Sequence, residues 1–308
     1  MKKIGITGGS GFIGHQITSL LLKKNYKIKS CDLYKPKKIF LENKNYKFKK
    51  INLFEKEKLE NFFSDVDCVI HLAASLGVLN TEKNSLECLN VNILGTKAVL
   101  DVVGKNKIKK LIFSSSSEVY GDQEKFPIKE NSEFKIKSNY ALSKITSEFF
   151  VKSYSKKFGF NYNIVRFFNV YGINQKTNFV ISKFIDQTIN LKKLSVFGDG
   201  KQIRSFCNVE DAARGLLLVM NKGKKYETYN IGNNDEPISM FNLAKKVKKL
   251  SNSKSKIIKI DFKNSDRSKD REIFKRYPDL TKIKNHTGYS PRISLDNGIK
   301  RLLKINEF

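Results

Sequence analysis

The chain of 308 residues can bury a large core, and its 40% hydrophobic content is ordinary for a globular protein. Its formal charge of +29 comes from lysines dispersed along the chain, with no arm or repeat, so solvated faces and A/T-rich codon usage account for it better than a nucleic-acid partner. No run of about 18 apolar residues is present, and glycines break the N-terminal apolar run too early for a signal peptide, so no transmembrane helix and a cytoplasmic protein are expected.

Four scattered cysteines (Cys31, Cys68, Cys88, Cys207) lack CxxC spacing, and only three histidines occur; buried thiols and no metal site are expected. The first element is the apolar strand KIGIT at 3–7, followed by a glycine-rich turn over Gly8–Gly14 and a helix over Phe12–Leu22. Strands follow in YKIKSCDLY, ending at Asp32, and in YKFKKINL, with a polar helix at 55–63. DCVIHLAA is a fourth strand, residues 85–106 carry helical spacing, and KKLIFSSSS is a fifth strand. A long helix at 139–159 leads into a sixth strand, YNIVRFFNVYG, at 162–172. Strands alternating with helices predict a doubly wound parallel α/β sheet of Rossmann type.

Beyond residue 172 the rhythm loosens: helices near 178–191, 210–221 and 239–250, short segments LSVFG, SFCNV and TYNIG, a charged loop at 262–277 and an amphipathic helix at 294–305. The division expected is a dinucleotide-binding unit at 1–172 and a smaller α/β substrate lobe at 173–308, with the chain free to cross between them.

Two motifs carry chemistry. Gly8, Gly11 and Gly14 follow a strand and open a helix, so backbone can approach a pyrophosphate at the helix N-terminus. Asp32 ends the next strand, where a carboxylate accepts from an adenosine ribose and repels a 2′-phosphate; this favours NAD over NADP, although Tyr34, Lys35 and Lys37 lie near. Tyr140 and Lys144 share one helical face, where an ammonium lowers a phenol's pKa and lets it remove a hydroxyl proton as hydride leaves. A Tyr-x-x-x-Lys pair alone is common; the serine strand end at 114–117 gives it weight.

Taken together, TGGSGFIG (7–14), HLAA (71–74), VNILGT (91–96), SSSSEVYG (114–121), YALSK (140–144) and RFFNVYG (166–172) resemble the extended short-chain dehydrogenase/reductase family. The branch is that of nucleotide-sugar epimerases, dehydratases and decarboxylases, which VFGDGKQIRSFCNVEDAARGL (196–216) and RYPDLTKIKNHTGYSP (276–291) also resemble. The resemblance implies Tyr140 as base and acid, Lys144 on the nicotinamide ribose, and Ser116 on the sugar's 4-hydroxyl. Around NAD it implies Phe12, Ile13, Asn52, Leu53, Leu72, Ala73, Ala74 and Asn92, besides the glycines and Asp32; Asn92 could equally be a packing or capping group. Around a nucleotide-diphosphate sugar it implies Ser116, Ser117, Asn169, Val180, Phe197, Arg204 and Arg276, with an ion pair the alternative for either arginine. A homodimer through helices near 85–103 and 138–156 is the family expectation.

Two positions depart from the family pattern. Asn52 stands where an Asp usually meets adenine, and Ile173 where Pro usually follows. Glu118 decides between reactions: dehydratase and decarboxylase relatives carry Glu there, whereas YALSK and RFFNVYG read like epimerases. The expected activity is therefore a UDP-hexose 4-epimerase, with 4,6-dehydratase and UDP-glucuronate-type decarboxylase as alternatives. A non-catalytic RNA-binding or sensor protein, suggested by the charge, stands against an intact Ser116, Tyr140 and Lys144.

Overall fold

A computed structural model describes residues 2–77, 81, 84–262 and 272–306. Seven strands form one parallel sheet: β1 (Lys3–Thr7), β2 (Lys27–Asp32), β3 (Tyr46–Lys50), β4 (Cys68–His71), β5 (Lys110–Ser116), β6 (Asn161–Phe167) and β7 (Glu227–Ile231). Their order is β7-β6-β5-β4-β1-β2-β3, so the winding reverses between β1 and β4. In such a sheet the crevice at the carboxyl ends beside that reversal is where ligands bind.

Alternation along the central strands explains why helices cover both faces. On β5, Ile112 points to one side and Leu111 and Phe113 to the other, all buried. Helices α1 (Phe12–Lys23) and α5 (Val209–Lys222) cover the first face with Ile17, Leu21, Leu216 and Val219. Helices α2 (Lys56–Phe62), α3 (Gly95–Lys105) and α4 (Asn139–Phe158) cover the second with Leu59, Val99, Val103 and Val151. Each such side chain contributes about 1.5–3 kcal/mol on burial. All four cysteines are buried thiols. Among the described residues no helix is long and apolar enough to cross a membrane.

The structure departs from the periodicity in three places. Residues 85–106 are not one α-helix: Ser85–Leu89 is α-helical, Asn90–Leu94 makes a π-turn, and only then does α3 begin. The RFFNVYG strand breaks after Phe167, because Asn169 turns to φ 36° and Val170–Tyr171 pairs instead with Cys207–Asn208. The segment TYNIG, expected in the irregular second half, lies beside β6 as the seventh strand of the main sheet. The chain thus crosses back through α5 and β7 before returning to the smaller lobe.

That lobe packs Val180–Ile189, Met240–Leu250 and Leu295–Asn306 around Phe184, Leu194, Leu243 and Ile299. Residues 263–271 of the expected charged loop lie outside the described residues, and Lys275–Arg276 forms a strand rather than loop.

Candidate active site

The glycine turn is built by contact, not by flexibility alone. Gly8 has φ 74°, and a Cβ on it would stand 2.6 Å from the Ala73 nitrogen. A Cβ on Gly14 would stand 2.1 Å from the Gly8 carbonyl oxygen. Gly11 is exposed and caps α1 without any side chain, leaving the first N–H groups of the helix open above the turn. Phe12 and Ile13 form the first, half-buried turn of α1. The Asp32 carboxylate accepts from Ser10 N–H at 3.0 Å and from Tyr34 N–H at 3.1 Å, so it braces the turn from the end of β2. This cradle, which side chains would fill, fits a dinucleotide pyrophosphate, and the carboxylate beside it fits a ribose diol.

Asn52 does not extend freely from β3. Its side-chain oxygen accepts from Phe54 N–H at 3.1 Å, and its own N–H donates to Glu55 at 2.8 Å, an Asx turn in place of the usual acid. Leu53 is buried against Gly95. Leu72, Ala73 and Ala74 leave β4 toward the crevice, Leu72 N–H donating to the Thr7 carbonyl.

A directed hydrogen-bond chain runs beneath them. Thr96 Oγ1 donates to the Asn92 carbonyl at 2.5 Å, so it can only accept from His71 Nε2 at 3.0 Å. His71 is therefore protonated on Nε2, and Thr7 Oγ1 donates to its Nδ1 at 2.6 Å while accepting from Ala73 N–H at 3.4 Å. Burial first, and then Lys144, hold the His71 pKa down to about 3, which keeps the ring neutral. Asn92 sits in the π-turn, fully buried, and its amide donates to the Ser75 carbonyl and to Ser143 Oγ, each at 3.0 Å. It ties the loop after β4 to α4, as π-turns at functional sites often do.

Ser138 caps α4 by accepting from Ala141 N–H at 3.0 Å, and the same hydroxyl donates to Glu118 at 3.3 Å. One turn of helix then puts Tyr140 and Lys144 on a common face, with Lys144 Nζ 5.7 Å from the Tyr140 ring centre. Lys144 donates to the Ser114 carbonyl at 2.9 Å, and Ser116 lies close enough to the Tyr140 phenol to favour its ionised form. Ser116 ends β5, its hydroxyl accepting from Glu118 N–H at 3.2 Å, while Ser117 is buried at the start of the next turn.

The electrostatics differ from expectation. Burial pushes the Tyr140 phenol above its usual pKa, and Glu118 and Cys88 push the same way; Ser116 and Arg276 oppose them. Burial brings the Lys144 pKa down to about 8, against the pull of Cys88 and Glu148.

Arg276 closes the site from the lobe. It is buried, donates to Asn169 Oδ1 at 3.1 Å, and its Nε and Nη1 have no acceptor among the described residues. A buried guanidinium with open donors fits a phosphate or other anion. Its register partner Arg204 pairs with Glu272 at 2.9 Å, the ion-pair alternative, although the pair is largely buried. Val180 opens a lobe helix and packs on the lobe core; Phe197 ends a lobe strand with Lys183 Nζ 4.6 Å from its ring. The structure thus brings Ser116, Glu118, Tyr140, Lys144, Asn169 and Arg276 together, while Val180, Phe197 and Arg204 stand in the lobe. Sequence reasoning passed over Ser138, Cys88, His71 and Glu148; only Ser138 had a local signal, a Ser immediately before a helical run.

Residues 4–232 match the family described as NAD dependent epimerase/dehydratase. The chain belongs to that family. It is 34% identical, over 98% of its length and 97% of the relative's, to the UDP-N-acetyl-alpha-D-glucosaminuronate decarboxylase of Bacillus cytotoxicus. It is 32% identical to the human dTDP-D-glucose 4,6-dehydratase over 98% of this chain and 89% of that one. Its fold superposes with a TM-score of 0.90 on the UDP-glucuronic acid 4-epimerase of Bacillus cereus solved with UDP-glucuronic acid and NAD, at 27% identity over 99% of this chain and 100% of that one. Members of this epimerase/dehydratase family with three different outcomes therefore stand at similar distances.

Proposed function

We propose that the chain is an NAD-dependent nucleotide-sugar 4-epimerase, with a UDP-hexose as its substrate class. The observation that carries this reading is the meeting of Ser116, Tyr140 and Lys144 beside the glycine cradle. Tyr140 takes the proton of the sugar's 4-hydroxyl and later returns it. Ser116 orients that hydroxyl, and Lys144 holds the nicotinamide ribose. Bound NAD supplies the hydride acceptor, and its positive ring supplies the charge that offsets the raised phenol pKa. Arg276 and Asn169 hold the diphosphate, which leaves the sugar free to turn between the two hydride transfers.

An elimination needs a base for the C5 proton and an acid for the 6-hydroxyl. Here Ser117, not a second acid, precedes Glu118, and it is buried. This favours the epimerase. Glu118 nevertheless lies close enough to Tyr140 and Arg276 to act on both electrostatically, and that observation supports a lyase as the second reading. Proton NMR of the protein with NAD and a panel of UDP-, GDP- and dTDP-sugars separates them. Inversion at C4 is expected; a new 6-methyl signal, or loss of C6 as carbon dioxide, would reassign the reaction. In the same assay Glu118→Gln is expected to keep at least about a third of kcat. A loss of a hundredfold or more, the usual scale for removing a general base, would move the assignment to the lyase.

We also propose a homodimer. Leu86 and Leu94 before α3, and Leu142 and Phe149 on α4, remain exposed, as apolar residues at an interface do. Light scattering after size exclusion reads the mass, and a monomer at micromolar concentration would end this proposal.

A further inference from the structure

Three consecutive residues at the end of β5 are each tied to a different residue of α4. The Ser114 carbonyl accepts from Lys144 at 2.9 Å, Ser116 meets Tyr140, and Ser115 Oγ donates to Glu148 at 2.6 Å. Glu148 lies one turn beyond Lys144 and is 0% exposed. Its carboxylate also receives a fork from Arg166 on β6, Nε at 2.9 Å and Nη2 at 2.7 Å. Arg166 is itself fixed: Nη1 donates to Tyr120 Oη at 2.8 Å and to the Glu130 carbonyl at 2.9 Å, and the guanidinium lies between the Tyr120 and Phe134 rings. Tyr120 ends the turn that begins at Ser117.

A buried ion pair is weak support for stability, because desolvation offsets most of the attraction. A charge this deep, with every oxygen engaged and one contact made to the residue beside Ser116, does more than fill the core. We infer that Glu148, anchored by Arg166, is a positioning residue: through Ser115 it fixes the register between the strand that carries Ser116 and the helix that carries Tyr140 and Lys144. It acts through these groups and does not touch substrate. The inference rests on the C4-oxidation reading for its kinetic readout alone. Glu148 also opposes the fall in the Lys144 pKa caused by burial. Wild-type activity is therefore expected to decline as pH rises through about 8, where Lys144 loses its proton. Without the Glu148 charge Lys144 deprotonates at lower pH, so the limb moves acidward.

The test uses two variants. Glu148→Gln is expected to lower kcat at least about tenfold with KM for the nucleotide sugar within about twofold, and to move the alkaline limb to lower pH. Ser115→Ala leaves the Glu148–Arg166 pair intact and so tests the link even where Glu148→Gln fails to fold. It is expected to lower kcat with little change in KM, and to speed amide hydrogen exchange over residues 114–118; Ser115→Thr, which keeps the hydroxyl, restores both. A folded Ser115→Ala protein with wild-type kcat and wild-type exchange overturns the inference, as does a folded Glu148→Gln protein with wild-type kcat. If wild type turns over no nucleotide sugar, the functional reading fails by itself, and the exchange difference still reports on the register.

Discussion

Tyr140→Phe is expected to lower kcat by about 10²–10⁴-fold, the range for removing a general acid–base group, while NAD affinity stays within a few-fold of wild type. The side chain is held by its neighbours and not by its oxygen alone: Ser138 caps its helix, and Lys144 lies over its ring at 5.7 Å. Removing one oxygen therefore leaves the helix in place. What is lost is the atom that Ser116 meets. The raised phenol pKa sharpens the expectation. The chain's own charges near Tyr140 are led by Glu118 on the unfavourable side, with Arg276 opposing it. Further positive charge would favour the phenolate, and an oxidised nicotinamide would carry such charge. Isothermal titration with NAD and single-turnover kinetics with the active UDP-sugar make the measurement. A Tyr140→Phe protein that retained a tenth of wild-type kcat would remove Tyr140 from the role of base and leave Glu118 and Lys144 as the acid–base groups of the cluster.

Part of this site could be read from the sequence because the rules it obeys are local. Tyr140 and Lys144 share a face because helical spacing puts them there, and Asp32 ends a strand because the apolar alternation stops at it. The glycines were legible by their spacing, and the structure adds why two of them tolerate nothing larger. Other features depend on partners distant in sequence. The π-turn at Asn90–Leu94 exists where Thr96 and Ser147 both cap the Asn92 carbonyl, and residue 147 lies on another helix. Periodicity over residues 85–106 cannot see that partner. TYNIG shows a strand's composition, but its place beside β6 follows from α5 packing on α1, a contact across the sheet's face. The upward push on the Tyr140 pKa is hidden from the sequence for the same reason. Sequence supplies the nearby lysine, whereas burial and Glu118, brought in by the turn after β5, decide the net effect.

The glycine turn yields the second large effect, and two substitutions of the same kind should separate there. Gly14→Ala is expected to lower both stability and NAD affinity. Its Cβ would stand 2.1 Å from the Gly8 carbonyl oxygen and 2.8 Å from the Gly9 Cα, so backbone has to move. Overpacking of this kind costs about 1–3 kcal/mol. The first turn of α1 shifts away from the loop, and the N–H groups proposed to face the pyrophosphate shift with it. A loss of NAD affinity of about tenfold to hundredfold follows from the same range at about 1.4 kcal/mol per decade. Gly11→Ala meets a different obstacle. Gly11 has ordinary extended backbone at φ −69°, and its Cβ would approach only the Gly8 carbonyl oxygen, at 3.2 Å. The protein can accept that methyl with little loss of stability, but the methyl stands over the exposed turn proposed to receive the cofactor's phosphates. Gly11→Ala should therefore keep the thermal midpoint within a few degrees and still weaken NAD. Thermal melting followed by circular dichroism, alongside NAD titration, reads both quantities. If Gly11→Ala bound NAD as wild type does, the turn would serve to pack α1 on β1 and the phosphate cradle would have to lie elsewhere. If Gly14→Ala were fully stable, the close approach of Gly14 to the Gly8 carbonyl would not be what fixes the start of α1.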